Sequence, residues 1–414
     1  MKSKNKITTV HQFYKNIPKS WRIEKLSNKV VIKGRIGWKG LKVSEYVNSG
    51  PYIITGIDIA NDTVNWDQCS KVTQERYEES PEIMLKENDI LMTKDGTIGK
   101  LAYIQDLSFV ATVAAHIHVI RIKSDDLLPR FLFYFFKTKN FTNLVNSRIE
   151  GSVVPSILQR DINELEILIP SIREQQFISD QLLSLDKKIR ILVKQNQILE
   201  NIIQSIFKSW FIDFDGQTEF VDSELGEIPK EWSIGTLGEI CEIVMGQSPP
   251  GKTYNKEEVG IPFYQGVTDF GFRFPSRRVF CTVPKRFAEE NDVLFSVRAP
   301  VGSLNIANEY CCIGRGLASI RLKENHGPYL YYLLNSTTRE WEKFEAEGTI
   351  FGSVTKDDVH DFQIIKPPTN LIKKFNSFTD IIYKTTWDAN KEIHELEKIR
   401  DLLLPKLMSG EIRV

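Results

Sequence analysis

Several groups of residues in this 414-residue chain have the types and spacing that chemistry requires. Gly246, Gly251, Lys252 and Thr253 satisfy G-x-x-x-x-G-K-T, the spacing of a phosphate-cradling loop. Such a loop works through backbone N–H groups, and Pro249 and Pro250 remove two of them. The residues that follow, Tyr254 to Glu258, are not an apolar helix start. His116 and His118 stand two apart and would share one strand face, but no third ligand is near, so a metal site is not expected. Cys311 and Cys312 read as core, and Asp213 and Asp215 as solvated carboxylates at a helix end. No G-x-S-x-G, H-E-x-x-H or kinase-like set occurs, and the Asp/Asn-Pro-Pro-aromatic signature of an adenine methyltransferase is absent. No catalytic residue is assigned.

Two stretches suit binding rather than reaction. Residues 21–42 carry Arg22, Lys25, Lys29, Lys33, Arg35, Lys39 and Lys42 against one acid, Glu24, with Trp38 and two glycines beside Arg35. Residues 271–286 carry Arg273, Arg277, Arg278, Lys285 and Arg286 with no acid, interleaved with Phe272, Phe274 and Phe280. Cations with aromatics and glycines suit close approach to phosphates and base edges; a solvated basic face is the alternative. Two glycine turns, 93–100 and 296–303, offer Lys94, Asp95, Thr97 and Lys100 in one case and Arg298 in the other, different donor sets on similar loops.

The chain repeats itself. Residues 17–21 (IPKSW) recur at 228–232 (IPKEW), and Glu87-Asn88-Asp89-Ile90-Leu91 recurs as Glu290-Asn291-Asp292-Val293-Leu294. Residues 150–170 match 347–367 without a gap, pairing Asp161 with Asp358 and Pro170 with Pro367. Matches in one order describe a duplicated unit. Short β-branched runs bounded by turn residues predict mixed, mostly antiparallel strands in each copy, followed by a helical run, 128–139 or 328–344.

A long helix follows each copy. In 177–211, Ile178, Leu182, Leu185, Ile189, Leu192, Asn196, Leu199, Ile203, Ile206 and Trp210 alternate by four and three, a heptad seam with one polar position. Residues 371–408 offer a looser seam that includes Ile382, Leu396 and Leu403. A single apolar stripe needs a partner, so the two helices are expected to pair, antiparallel if a pseudo-two-fold relates the copies. About 35 residues at ~1.5 Å each span roughly 50 Å, against about 34–36 Å for one turn of B-DNA. The pair would act as a ruler.

Net charge is zero, so any phosphate-binding surface must be local. Five cysteines without a C-x-x-C pair argue against a disulfide framework. With no run of roughly 20 apolar residues and a polar N-terminus, a cytoplasmic protein is expected.

The two IPK-x-W motifs, ELGEIP (224–229), SIFKSWFIDFD (205–215) and IRDLLLPKLMSGEI (399–412) closely resemble the specificity subunit of type I restriction-modification systems, over essentially the whole chain. GRIGWKGL (34–41) and GQSPPGKTYN (246–255) resemble the openings of target recognition domains. The resemblance implies an α+β protein of two α/β target recognition domains, 1–170 and 227–368. Two spacer helices, 171–213 and 369–414, would pair as an antiparallel coiled coil, with a linker at 214–226. It implies that the chain binds a bipartite, asymmetric double-stranded DNA target without catalysing a reaction. Two methyltransferase subunits using S-adenosylmethionine, and restriction subunits using ATP and Mg, would assemble on it; those cofactors belong to the partners. The DNA-binding residues expected are Arg35, Trp38, Lys39, Lys94, Thr97, Lys100, Gln247, Lys252, Arg273, Arg277, Arg278, Arg298 and Arg315. Helix packing is expected from Leu182, Leu185, Ile189, Leu192, Leu199, Ile203, Ile382, Leu396 and Leu403. The competing classes are a P-loop nucleotide hydrolase centred on Lys252 and a coiled-coil adaptor that binds only protein.

Overall fold

A computed structural model describes residues 14, 17–34, 41–149, 156–324, 327–341, 343–346 and 353–413. They fall into two compact units, residues 1–191 with 392–414, and residues 192–391.

In the first unit an antiparallel sheet runs in the order Val30–Lys33, Ile117–Ile122, Ile90–Thr93, Leu101–Tyr103. A three-stranded sheet holds Tyr46–Ile54 between Ser70–Val72 and Ala111–Val113, the last pairing parallel. Arg22–Lys25 pairs with Glu166–Ile169. The second unit repeats this plan: Cys241–Met245, Leu317–Leu322, Val293–Ser296 and Leu304–Ile306 in the same order, all antiparallel. Ile261–Tyr264 lies parallel to Cys311–Ile313, and Ser233–Thr236 pairs with Gln363–Lys366. The fold is α+β, and the sequence repeat is a repeat of topology.

The central strands show no polar alternation because both faces are covered. Ile90 and Met92 face a core with Phe131 and Phe135, while Leu91 faces another with Ile54 and Val113. Val293 and Phe295 face Tyr329 and Phe375, while Leu294 faces Tyr264 and Ile313. The aromatic helices Pro129–Phe136 and Tyr329–Ser336 supply much of that filling.

The repeated Glu-Asn-Asp is a turn device. Asn88 and Asn291 sit in the left-handed region (φ 69° and 73°), which asparagine tolerates. The next residue, a buried aspartate, accepts a backbone N–H three residues back and a two-pronged guanidinium from the neighbouring strand. Asp89 takes Arg121 Nε and Nη2, both at 2.7 Å. Asp292 takes Arg321 Nε at 2.5 Å and Nη2 at 2.8 Å, and the Ser319 hydroxyl. The bound carboxylate holds both arginines more basic than usual.

The first long helix runs Ile172–Phe211 and the second Thr369–Ser409, with Pro405 in its last turns. Within the first unit Asp186 meets Arg400 at 3.3 Å and Lys188 meets Glu392 at 3.2 Å, while Ile178 and Leu182 share a core with Leu404, Leu407 and Met408. Within the second, Phe207, Trp210 and Phe211 pack on Phe375 and Trp210 on Phe378. In the first unit rising numbers on one helix meet falling numbers on the other, an antiparallel pairing. Leu182, Ile189, Leu192 and Ile203 are buried; Leu185, Leu199, Ile382, Leu396 and Leu403 are half-buried.

The stretch expected as a linker, 214–226, is not aperiodic. Phe220–Ser223 forms a hairpin with Gly226–Pro229, and Gly226 takes the positive φ (97°) the turn needs. Phe220 and Val221 are exposed, so no alternation of buried and exposed positions marks the first strand.

Replacing Asp292 by Asn would leave Arg321 facing a neutral amide and should destabilise the fold by about 3 kcal/mol. Denaturant unfolding reads the loss, and a midpoint equal to wild type would show the pair to be dispensable.

Candidate nucleic-acid interface

Backbone bonds gather connections at one edge of the four-stranded sheet, three of them in the second unit. In the second unit the segments are the loop after Cys241–Met245, the end of Ile261–Tyr264, and the turn Gly314-Arg315-Gly316 before Leu317–Leu322. Backbone bonds tie them: Gly246 N to Leu317 O (2.9 Å), Gln247 N to Ile313 O (3.0 Å) and Gly314 N to Tyr264 O (2.8 Å). Val297 N bonds Gly316 O at 3.0 Å, drawing in the turn that carries Arg298. Glycines make this approach possible. A Cβ on Gly246 would stand 2.2 Å from Gly314 O, and one on Gly316 would stand 2.4 Å from Gln265 O. Gln247, Arg298 and Arg315 are therefore gathered, and all three are exposed.

The first unit uses the same pattern. Ala114 N bonds Ile54 O (2.8 Å) and Lys94 N bonds His116 O (2.9 Å), the counterparts of Gly314 to Tyr264 and Val297 to Gly316. Lys94, Thr97 and Lys100 share this edge, with Lys100 Nζ on the Gly56 carbonyl (3.1 Å) and Thr97 O accepting the Thr93 hydroxyl. His116, in the turn before the strand, pairs with Asp95 at 2.7 Å. His118, inside the strand, is buried with Nε2 3.2 Å from Ile157 O. The two histidines do not share a face, because His116 precedes the strand. Arg35, Trp38 and Lys39 lie outside the described residues.

The arginines of 271–286 behave differently. Arg273 is buried, ion-paired with Glu200 and donating to the Tyr332 hydroxyl at 2.7 Å, its guanidinium 4.0 Å from the Tyr331 ring centre. It is a core residue and not a DNA contact. Arg277 makes a two-pronged pair with Glu309, both bonds 2.6 Å, and Arg278 Nε meets Asp269 at 2.7 Å. Arg22 and Lys29 likewise share Asp126, and Lys25 meets Glu164. Six cations of the basic runs are thus paired with acids, most of them distant in sequence. The Arg22 and Lys29 cations hold the Asp126 carboxyl well below its ordinary range.

Residues 246–253 do not form a phosphate loop. Gly251–Thr253 is one 3₁₀ turn followed by the strand Tyr254–Asn255, not a helix. The Thr253 hydroxyl donates to Pro250 O (2.7 Å) and the Tyr254 hydroxyl to Pro249 O (2.7 Å). Lys252 is an exposed cation further along the same loop. All five cysteines are free and buried, and burial pushes the Cys69 and Cys241 thiols up to about 12. Among the described residues no group of three His, Cys, Asp or Glu is placed to hold a metal, and no helix is long and apolar enough to cross a membrane. Sequence reasoning passed over Gln265 and Ser248, whose hydroxyl accepts Arg315 N at 3.2 Å, and saw His116 only as a failed metal ligand. The aligned turns Ala-Ala-His and Gly-Arg-Gly were the available signal.

A duplicated α+β unit on paired long helices, with different polar side chains on one loop platform, defines a two-headed recognition protein. A family model described as Type I restriction modification DNA specificity domain matches residues 5–201 and 229–398. A Methanocaldococcus jannaschii chain named as the specificity subunit of type I restriction enzyme MjaX is 30% identical over 430 residues, covering 97% of this chain and 98% of its own. The MjaIX specificity subunit from the same organism is 29% identical, covering 96% and 95%. A crystal structure of a type I restriction-modification S subunit from M. genitalium is 16% identical, covers 95% and 96%, and shares the fold with a TM-score of 0.62. The chain belongs to the type I restriction-modification DNA specificity family.

Two results would test this assignment of side chains. Arg273→Ala should strand Glu200 in the core and cost roughly 3–5 kcal/mol, seen as a lowered melting temperature; a variant of wild-type stability with weakened DNA binding would return Arg273 to the interface. Burial drops the His118 pKa from 6.5 to about 4, so the unfolded chain takes up this proton first. Stability should therefore fall as pH drops from 6.5 towards 4, by roughly 3 kcal/mol at the lower end. His118→Gln should flatten that part of the profile, and an unchanged slope would exclude His118 as its source.

Proposed function

We propose that this chain is the non-catalytic DNA-recognition subunit of a type I restriction-modification complex. In this reading each unit recognises one part of a bipartite duplex target. The observation that carries it is a loop arrangement held in both units by two matching backbone bonds, bearing Lys94, Thr97 and His116 in one unit and Gln247, Arg298 and Arg315 in the other. A shared platform with different donors suits two readers of two sequences. The recognition domains 1–170 and 227–368 and the spacer segments 171–213 and 369–414 carry over as the functional division.

Partners fit the long helices. In the first unit Ile191, Ile399 and Leu402 are exposed; in the second, Val193, Ile198, Ile202, Phe378 and Ile381. Apolar side chains in such number along helices call for cover. Methyltransferase subunits would supply it, with restriction subunits joining the complex. S-adenosylmethionine, ATP and Mg would be bound by those partners, in the cytoplasm. The nucleotide-hydrolase alternative lacks a phosphate loop at Lys252, and a protein-only adaptor has no use for exposed cations on a rigid platform.

Each long helix contributes a segment to both compact units, so helix length would govern the spacing between half-sites. Inserting four residues, about one helical turn, within 195–197 should lengthen the preferred spacer and leave both half-sites unchanged. Selection from a pool of duplexes with variable spacers measures this, and an unaltered spacer preference would refute the ruler.

A further inference from the structure

Arg315 differs from four other arginines of the second unit. Arg273, Arg277, Arg278 and Arg321 all meet carboxylates. Arg315 is exposed, and no hydrogen bond or ion pair of its side chain occurs among the described residues. Its backbone, by contrast, is heavily fixed. Its own N–H donates to the Ser248 hydroxyl, and flanking Gly314 and Gly316 bond Tyr264 and Val297. Both glycines press on Gln265, leaving no room for a Cβ on Gly316. A turn with a fixed backbone thus presents an always-charged planar guanidinium that meets no carboxylate among the described residues. A phosphate contact needs only a cation, and flexible lysine serves it well. A planar guanidinium fork on a backbone held in place suits the O6 and N7 of guanine in the major groove, the commonest specific side-chain contact with a base.

The equivalent turn of the first unit sharpens the contrast. By its backbone bonds, Ala115 occupies the place of Arg315 and His116 that of Gly316. The first unit offers a methyl group where the second offers a guanidinium, so the two platforms differ at the position most firmly held.

Resting on the DNA-recognition reading above, we propose that Arg315 is a specificity-determining residue that reads a guanine in the half-site of the second unit. Arg298, on a neighbouring turn, and Lys252, further along the loop, are exposed cations to which the proposal gives phosphate contacts.

The test uses the full chain assembled with its methyltransferase subunits. Binding-site selection from randomised duplexes is run for wild type, Arg315→Ala and Arg315→Lys, followed by affinity measurements over a range of salt. Arg315→Ala should lose discrimination at one G·C position of the half-site read by the second unit, by about tenfold or more, while every other position and the whole half-site read by the first unit stay as in wild type. Arg315→Lys should retain guanine preference only in part. If Arg315→Ala keeps every base preference and instead weakens all duplexes alike with a shallower salt dependence, Arg315 contacts phosphate and the proposal is overturned. A relaxed position that holds no guanine on either strand also overturns it. If wild type itself selects no sequence, the DNA-recognition reading fails, a result distinct from the failure of Arg315 alone.

Discussion

The apolar seam of the helix Ile172–Phe211 cannot be left in water, and the organisation of the chain follows from how it is covered. Each compact unit completes its core with a segment of this helix and a segment of Thr369–Ser409. Ile178 and Leu182 extend a core containing Phe131, Phe135 and Leu404. Ile203, Phe207 and Phe211 extend one containing Tyr329, Tyr332 and Phe375. Burying side chains of this size contributes about 1.5–3 kcal/mol each. Helix and reading head therefore stabilise one another instead of meeting as separate parts.

Polar contacts then orient the aromatic helices on the long one. The Tyr134 hydroxyl donates to Asp186 at 2.8 Å and the Tyr332 hydroxyl to Glu200 at 3.0 Å, so each unit places a buried carboxylate of the long helix against a tyrosine of its short aromatic helix. Arg273 completes the second set and Arg400 the first. Buried charges of this kind add little net stability, but breaking one is expensive, and this favours a single register. The Asp89–Arg121 and Asp292–Arg321 pairs act in the same way on the central strands. These pairs hold the sheet whose edge carries the loop platform.

The loops themselves follow another rule. Where Gly246, Gly314 and Gly316 let backbone meet backbone, three connections merge into a surface with little freedom of its own. The backbone of such a surface has little entropy left to lose on binding. Different residues can occupy it without disturbing the core beneath, so two copies of one fold can read different sequences.

Much of this was legible in the sequence. The duplication, the strand runs, both long helices and the family resemblance all rest on patterns local in the chain, periods of two and seven and repeated short motifs. The turn role of Glu-Asn-Asp was not legible, because its arginine partners stand about 30 residues downstream on another strand. Nor was the fate of the basic runs: 271–286 contains no acid, yet Glu200, Asp269 and Glu309 neutralise three of its arginines. Charge compensation and exposure are properties of neighbours in space, and spacing along the chain does not encode them. The sequence by itself determined which elements form and that the unit occurs twice. Only the tertiary structure decided which cations are spent in the core and which, like Arg315, are left free on a fixed turn, because burial and pairing depend on contacts between segments far apart in the chain.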